Sequence, residues 1–390
     1  MRTIIYILTV TFTLVLFSCD NKSFRNSPRE FKPLEEFIGV RTSEGKIPGL
    51  YLLEETGVST LPIVNKASDF LNSLDTEQRW KSIFHFNDNE WRTWSNVDSK
   101  LFRRQGVSLK EMNKGQKNAA FELLKTSLSE EGLQTVRSIM KTERTLNEIF
   151  MDEGAHLNEE LYYFTFMGQP SENEPWGWQI DGHHLAINYF VLNGQVVMSP
   201  VFMGGEPAVA KFGRYTGNAV LQEEENLGLA FVRSLSQDNQ DKATLFNLFD
   251  DWRLEAGAGK DNKVLDYEGV KASDMDYWEK ERFTLLISQY VNKLRPEHAE
   301  IRMREVLEHL DDTWFAWIGE KWDDPVFYYR IHSPVILIEF SHEGQGPRPK
   351  RMKRNSDPSR EHIHTIMRTP NGGDYGKDLL REHLQKHHSN

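Results

Sequence analysis

Residues 176–203, WGWQIDGHHLAINYFVLNGQVVMSPVFM, restrict the fold of this chain more than any other stretch. Two runs rich in β-branched and aromatic residues flank Asn193-Gly194, a dipeptide that accepts the positive φ angles of a type I′ turn, so the pattern predicts a β-hairpin. Strand-like periodicity begins at residue 161 and holds to 204, then returns over 313–368, whereas 61–155 and 216–310 carry apolar residues at helical spacing. Ser108 and Glu111 form a capping box ahead of Met112, Ala120 and Leu124, and Ser129 precedes a second amphipathic run. A last helix is expected over 375–388. Two strand blocks separated by a helical block predict one α+β domain over 61–388. Its mostly antiparallel central sheet is built from both blocks and covered by the N-terminal and inserted helices. No internal repeat is visible in the sequence.

Residues 1–18 hold one cation, Arg2, then an apolar run, and Ser18 leads into Cys19; this predicts a secretory signal peptide ending at a lipoprotein-type cysteine. Cys19 is the only cysteine, so no internal disulfide can form, and acylation is the role that fits it. Lipid on Cys19 would anchor the protein to a bacterial envelope membrane, on the periplasmic side or at the cell surface, with residues 19–60 as a polar tether. Acidic residues outnumber basic ones 58 to 47 and no basic stripe runs along the chain, which argues against nucleic acid as a partner. The one basic cluster, from Arg348 to Arg354, reads as a solvated loop.

Two histidine pairs carry the best hint of chemistry. Residues two apart on a strand point the same way, so His362, His364 and Arg368 share a face, and two imidazoles held like that can bind one metal ion. His183 and His184 would point to opposite faces of a regular strand. His184 is then expected at the mouth of a site, with His183 as a buried hydrogen-bonding partner. Glu339 stands on an otherwise apolar strand face and needs a partner, for which a metal, Arg330 or Arg368 would serve. Asp181 could orient a histidine, and Asp374 lies in a sharp turn after the last strand, where it would act at the site or cap a helix. Trp176 and Trp178 could offer an aromatic platform for a sugar or peptide, or pack in the core. Histidines bonded to backbone or carboxylate for structural reasons are the plain alternative to a metal site.

The ordered set Pro175 to Trp178, Gly182 to His184, Tyr328 to Arg330, Ile338-Glu339, His362 to His364 with Arg368, and Asp374 to Gly376 resembles the domain-of-unknown-function family number 3500. That resemblance implies a secreted or lipid-anchored bacterial protein and no particular activity. The residues themselves suggest a metal-dependent hydrolase. His183 or His184 with His362 and His364, and Glu339 in some arrangements, would hold a divalent ion, zinc in the simplest case. Arg368 would bind an anionic group beside Asp181 and Asp374, and Trp176, Trp178 and Arg330 would hold the small-molecule, saccharide or peptide ligand. A redox metal at the same ligands, or a non-catalytic surface lipoprotein, are the other readings.

Overall fold

The computed structural model describes residues 35–151, 154–250 and 254–387, so Cys19 and the expected signal peptide lie outside the described residues. Helices α1 (Leu61–Ser73) and α2 (Thr76–Ser82) lead to the two-residue strands β1 (Ile83–Phe84) and β2 (Val107–Ser108), then to α3 (Lys114–Ser127) and α4 (Glu130–Ile149). The first strand block follows: β3 (Tyr163–Met167), β4 (Trp176–Gly182), β5 (Leu185–Leu192) and β6 (Gln195–Gly205). Helices α5 (Gln222–Ser234) and α6 (Gln237–Ala243), strands β7 (Thr244–Phe246) and β8 (Val270–Lys271), and helices α7 (Tyr277–Val291) and α8 (Pro296–Glu308) come next. The second block is β9 (Trp314–Gly319), β10 (Phe327–His332), β11 (Leu337–Glu343) and β12 (Ser359–Arg368), and α9 (Lys377–His387) closes the described chain. Among the described residues all twelve strands form one sheet, in which only the β1–β3 and β7–β9 pairs are parallel, an α+β fold. The helices before each block pack on one face, and loops with α9 cover the other.

Two local expectations change. Asn193 and Gly194 do take positive φ, 48° and 80°, but the run before them is not one strand: the chain also turns back at His183-His184, where His184 adopts φ 61°. The hairpin is thus a three-stranded meander. The Ser108–Glu111 box caps only a single 3₁₀ turn, and α3 starts at its own box, Asn113 with Gln116.

The strand order, β1-β3-β4-β5-β6-β12-β11-β10-β9-β7, reads the same from either end in element type, with β2 on β3 matched by β8 on β9. The sequence shows no repeat; the structure does. Residues 61–205 and 222–368 each run helix, short helix, a strand parallel to the first long strand, a two-residue strand antiparallel to it, two helices and a four-stranded meander. Gly106-Val107 and Gly269-Val270 occupy matching places, at φ 82° and 94° for the glycines. Asn113 with Gln116 and Asp276 with Glu279 form matching capping boxes. Gln116 donates to Gln78 (2.7 Å) where, in the other half, Glu279 accepts from Asn239 (2.8 Å). A local two-fold relation joins the halves. Ser129 N donates to Lys293 O as Arg295 N donates to Ser127 O, both at 3.1 Å, and β6 pairs with β12 around Val201 and Met367.

The ends cross between the halves. Arg41 N donates to Lys263 O and accepts at its own carbonyl from Leu265 N on the second half, and Val40 packs with Ala256, Leu265 and Leu337 there. At the other end Tyr375, Leu379 and Leu380 pack on Trp91, Phe190 and Leu192 of the first half.

A Cβ at Gly106 or Gly269 would collide with the carbonyl oxygen of Phe164 or Phe315. Gly106→Ala or Gly269→Ala therefore combines a left-handed φ with a steric clash, and each is expected to cost at least about 1–3 kcal/mol. The urea midpoint of either variant measures it.

Candidate metal centre

His362 and His364 extend from β12 on the face that carries Ile366, and the β4–β5 turn brings His184 against them. His184 Nε2 lies 3.1 Å from His362 Nε2, which lies 2.9 Å from His364 Nε2. Gly204 on β6 makes the approach possible: a Cβ there would meet the His364 ring and Ile363 O at 2.8 Å and the His184 ring at 3.3 Å.

The outer ring nitrogens point the other way. His362 Nδ1 is 2.7 Å from Gly344 O and His364 Nδ1 is 3.4 Å from Glu343 Oε1, so a proton on each Nδ1 would leave the Nε2 lone pairs toward the cluster for a cation. Tetrahedral ligation at about 2.0–2.1 Å puts ligand nitrogens about 3.3 Å apart, close to the separations found. A second group adjoins. Glu143 on α4 lies 2.6 Å from His183 Nδ1, short of good hydrogen-bond geometry, and 3.9 Å from His184 Nδ1, and the two histidine rings stack at 3.8 Å. The stacking follows from the turn. On a regular strand the two rings would have pointed apart, and it is His184 that is buried (2% exposed) while His183 is half-buried.

Burial, reinforced by His183, His362 and His364, holds His184 well below the usual imidazole range. Burial and the neighbouring His364 bring His362 to about 4. Burial pulls His183 down as well, but the Glu143 carboxylate outweighs it and His183 is raised. Glu343 and Glu206, although buried, are held low, Glu343 by His364 and Glu206 by His362 and Arg348. His184 and His362, held neutral beside ionised Glu343 and Glu206, suit ligation of a cation. The three rings open on a cavity of about 180 Å³ walled by Val97, Leu146, Phe150 and Leu157, with Arg348 at its edge.

The other residues singled out in the sequence lie elsewhere. Glu339 is not among the ligands: its carboxylate accepts from the amides of Glu255 (2.9 Å) and Ala256 (2.7 Å) and from the Tyr328 hydroxyl. Arg368 shares the histidines' face but sits four residues on, about 13 Å along a strand, with Ile366 between. Each of its three nitrogens donates, to Ala256 O, to Asp261 and Asp374, and to Gly257 O. Asp374 is consumed by that pair, by Ser199 and by Thr369 N. Arg330 is buried against Glu268. Asp181 pairs with Arg104 at 3.0 Å and reaches no histidine; Arg104 also binds the carbonyls of Ser95 and Val97, so the pair fixes the loop whose Asn96 O accepts from His184 N. Trp176 and Trp178 are fully buried, one donating to Ser171 O and the other stacked on Tyr189, so neither is a platform at an entrance. Glu143 and Glu343 were missed. The signal for Glu143 is a carboxylate in step with Leu133, Val136, Ile139, Met140 and Leu146 on the buried face of α4.

Outside the cluster, burial brings His298 to about 4 and His332 to about 3. Both stay neutral in the fold while the unfolded chain protonates near pH ~6.5. From there down to pH ~4 the unfolded state binds more protons, so stability falls as pH falls through that window, by up to about 1.4 kcal/mol per pH unit for each group. His183 opposes this, as do the buried carboxyls of Glu90 and Asp181, raised to about 8 and about 6. His332→Phe removes one of the lowered groups, so its urea midpoint, read on chelator-treated protein, is expected to fall less between pH ~7 and ~5 than the parent's, or to rise more.

The family model described as "Protein of unknown function (DUF3500)" matches residues 56–377, and the chain belongs to that family. No curated protein and no solved structure matches it.

Proposed function

We propose that this chain, from a family whose description names no activity, is an exported, lipid-anchored hydrolase that holds a divalent metal ion on His184, His362 and His364. The observation that carries this reading is the convergence of three Nε2 atoms at 2.9 and 3.1 Å, with two of the rings turned by their outer nitrogens toward Gly344 O and Glu343. Zinc is the simplest ion, because three histidines beside an open position make a familiar catalytic set; iron and copper accept the same donors and would make the centre a redox one. A bound ion supplies Lewis acidity to a substrate carbonyl or phosphoryl oxygen and acidifies water. The chain's own residues do the rest. Gly344 O and Glu343 orient the His362 and His364 rings, Glu143 lies against the stacked His183, and Leu146, Phe150 and Leu157 exclude water from one wall. Arg348, paired to Glu206, keeps a buried Nη1 without a partner at the cavity edge, which suits a carbonyl or anionic group of the substrate.

The lipid anchor rests on Cys19, the only cysteine, at the end of a signal-like segment. Incorporation of labelled palmitate, lost in Cys19→Ser, tests it. Plasma mass spectrometry of the purified full chain tests the metal, and a panel of carboxylic and phosphoric esters tests the reaction. About one equivalent of zinc with ester cleavage that chelator abolishes is the expected result. No metal after incubation with zinc, iron or copper would sink the proposal.

A further inference from the structure

The two-fold relation between the halves gives each member of the histidine cluster a counterpart, and some of these counterparts line a second cavity. Asp181 pairs with Ala186 around the His183-His184 turn as His332 pairs with Leu337 around Pro334-Val335. Val335 thus stands at the place of His184. Allowing for the one-residue register shift in the β5–β6 pairing, Gln195 and Val197 stand where β12 has His362 and His364. Counting from the bridged pair Leu128 and Leu294, the place of Glu143 falls to His309 and that of Gly132 to His298. The ligand set has no equivalent there, and Gln195, Val197 and His309 instead line a cavity of about 400 Å³.

Its walls are Val196, Val197, Met198 and Ile301, and it holds one polar group with nothing to bind. His298 is 3% exposed and its Nε2 has no hydrogen-bond partner. An unsatisfied buried nitrogen is costly unless a ligand completes it. Arg302, the one cation on the wall, is already spent on Glu305 (2.6 Å), Val335 O (2.6 Å) and Thr369 Oγ1 (3.3 Å). The rim adds the carboxylates of Glu54 and Glu308, both exposed. An anionic head group would meet net negative charge there, whereas a hydroxyl or amine would find an acceptor or donor in the imidazole.

We infer that this second cavity is a metal-free binding site for an amphipathic primary alcohol or amine, its apolar chain along Val197 and Met198 and its head group at His298 Nε2. The inference stands whether or not the histidine cluster binds metal. Calorimetric titration of the purified full chain with octan-1-ol, octylamine and octanoate tests it. The alcohol and amine are expected to saturate one site and octanoate to bind at least about tenfold more weakly, since its carboxylate would be buried without a counter-charge. Val197→Trp fills the space and should abolish binding. His298→Phe keeps the apolar contacts and should weaken it about tenfold, the value of one buried hydrogen bond. His362→Ala/His364→Ala should leave the titrations unchanged. The inference is overturned if none of the three binds, if octanoate binds best, or if His298→Phe and a folded Val197→Trp both bind as the parent does.

Discussion

His362→Ala and His364→Ala are each expected to leave a folded protein that retains less than about a tenth of its metal. Each removes one of three nitrogens that meet at 2.9–3.1 Å, and two imidazoles do not make up a closed donor set. Loss of an orienting group is milder: Glu343→Ala should weaken metal binding by about 10–100-fold while leaving the ligands in place. The fold should survive, because β12 is held between β6 and β11 by backbone pairs that these side chains do not make. Elemental analysis with circular dichroism reads both quantities. A double variant that is folded and still carries a full equivalent would show that the metal lies somewhere else.

Arg368→Ala should do the reverse, lowering stability by about 3–5 kcal/mol and leaving metal content intact in whatever fraction folds. The guanidinium is fully buried between Asp261 and Asp374 and donates to two carbonyls of the 254–258 loop. Removing it leaves Asp374 without a cation in the interior, while Asp261 keeps Arg92, and Asp374, which burial already raises despite Arg368, would take up a proton instead. A urea midpoint shift of that size with unchanged metal assigns Arg368 to the scaffold. A metal loss without a stability change would restore it to the site.

These two outcomes separate what the sequence could show from what it could not. The α+β class and the shared sheet were legible because periodicity and Asn193-Gly194 report backbone geometry directly. The His183-His184 turn was not, since His184 takes φ 61° with no glycine or asparagine to announce it. That turn brings His184 onto the β12 pair and stacks the two rings. Glu339 and Arg368 looked functional because a charge on an apolar strand demands a partner; the demand was real, and backbone amides, carbonyls and acids of the 254–261 loop meet it. Trp176 and Trp178 had two open readings, and burial chose the core. The repeat stayed hidden because its halves coincide at backbone-critical positions such as Gly106 and Gly269 and at caps, while the side chains between them have diverged.

The crossed ends bear on cooperativity. Each half closes its own meander through neighbours in sequence, and the long-range seam between them is β6 on β12 with the Leu128–Leu294 bridge. Two such modules could melt separately, one after the other. Here the non-helical face of the first sheet half is finished by Tyr375, Leu379 and Leu380, which follow the second half, and Leu337 in the second half is covered by Val40, which precedes the first. Neither module can complete its core until the other has folded, so the molecule is expected to melt as one unit although it is built as two.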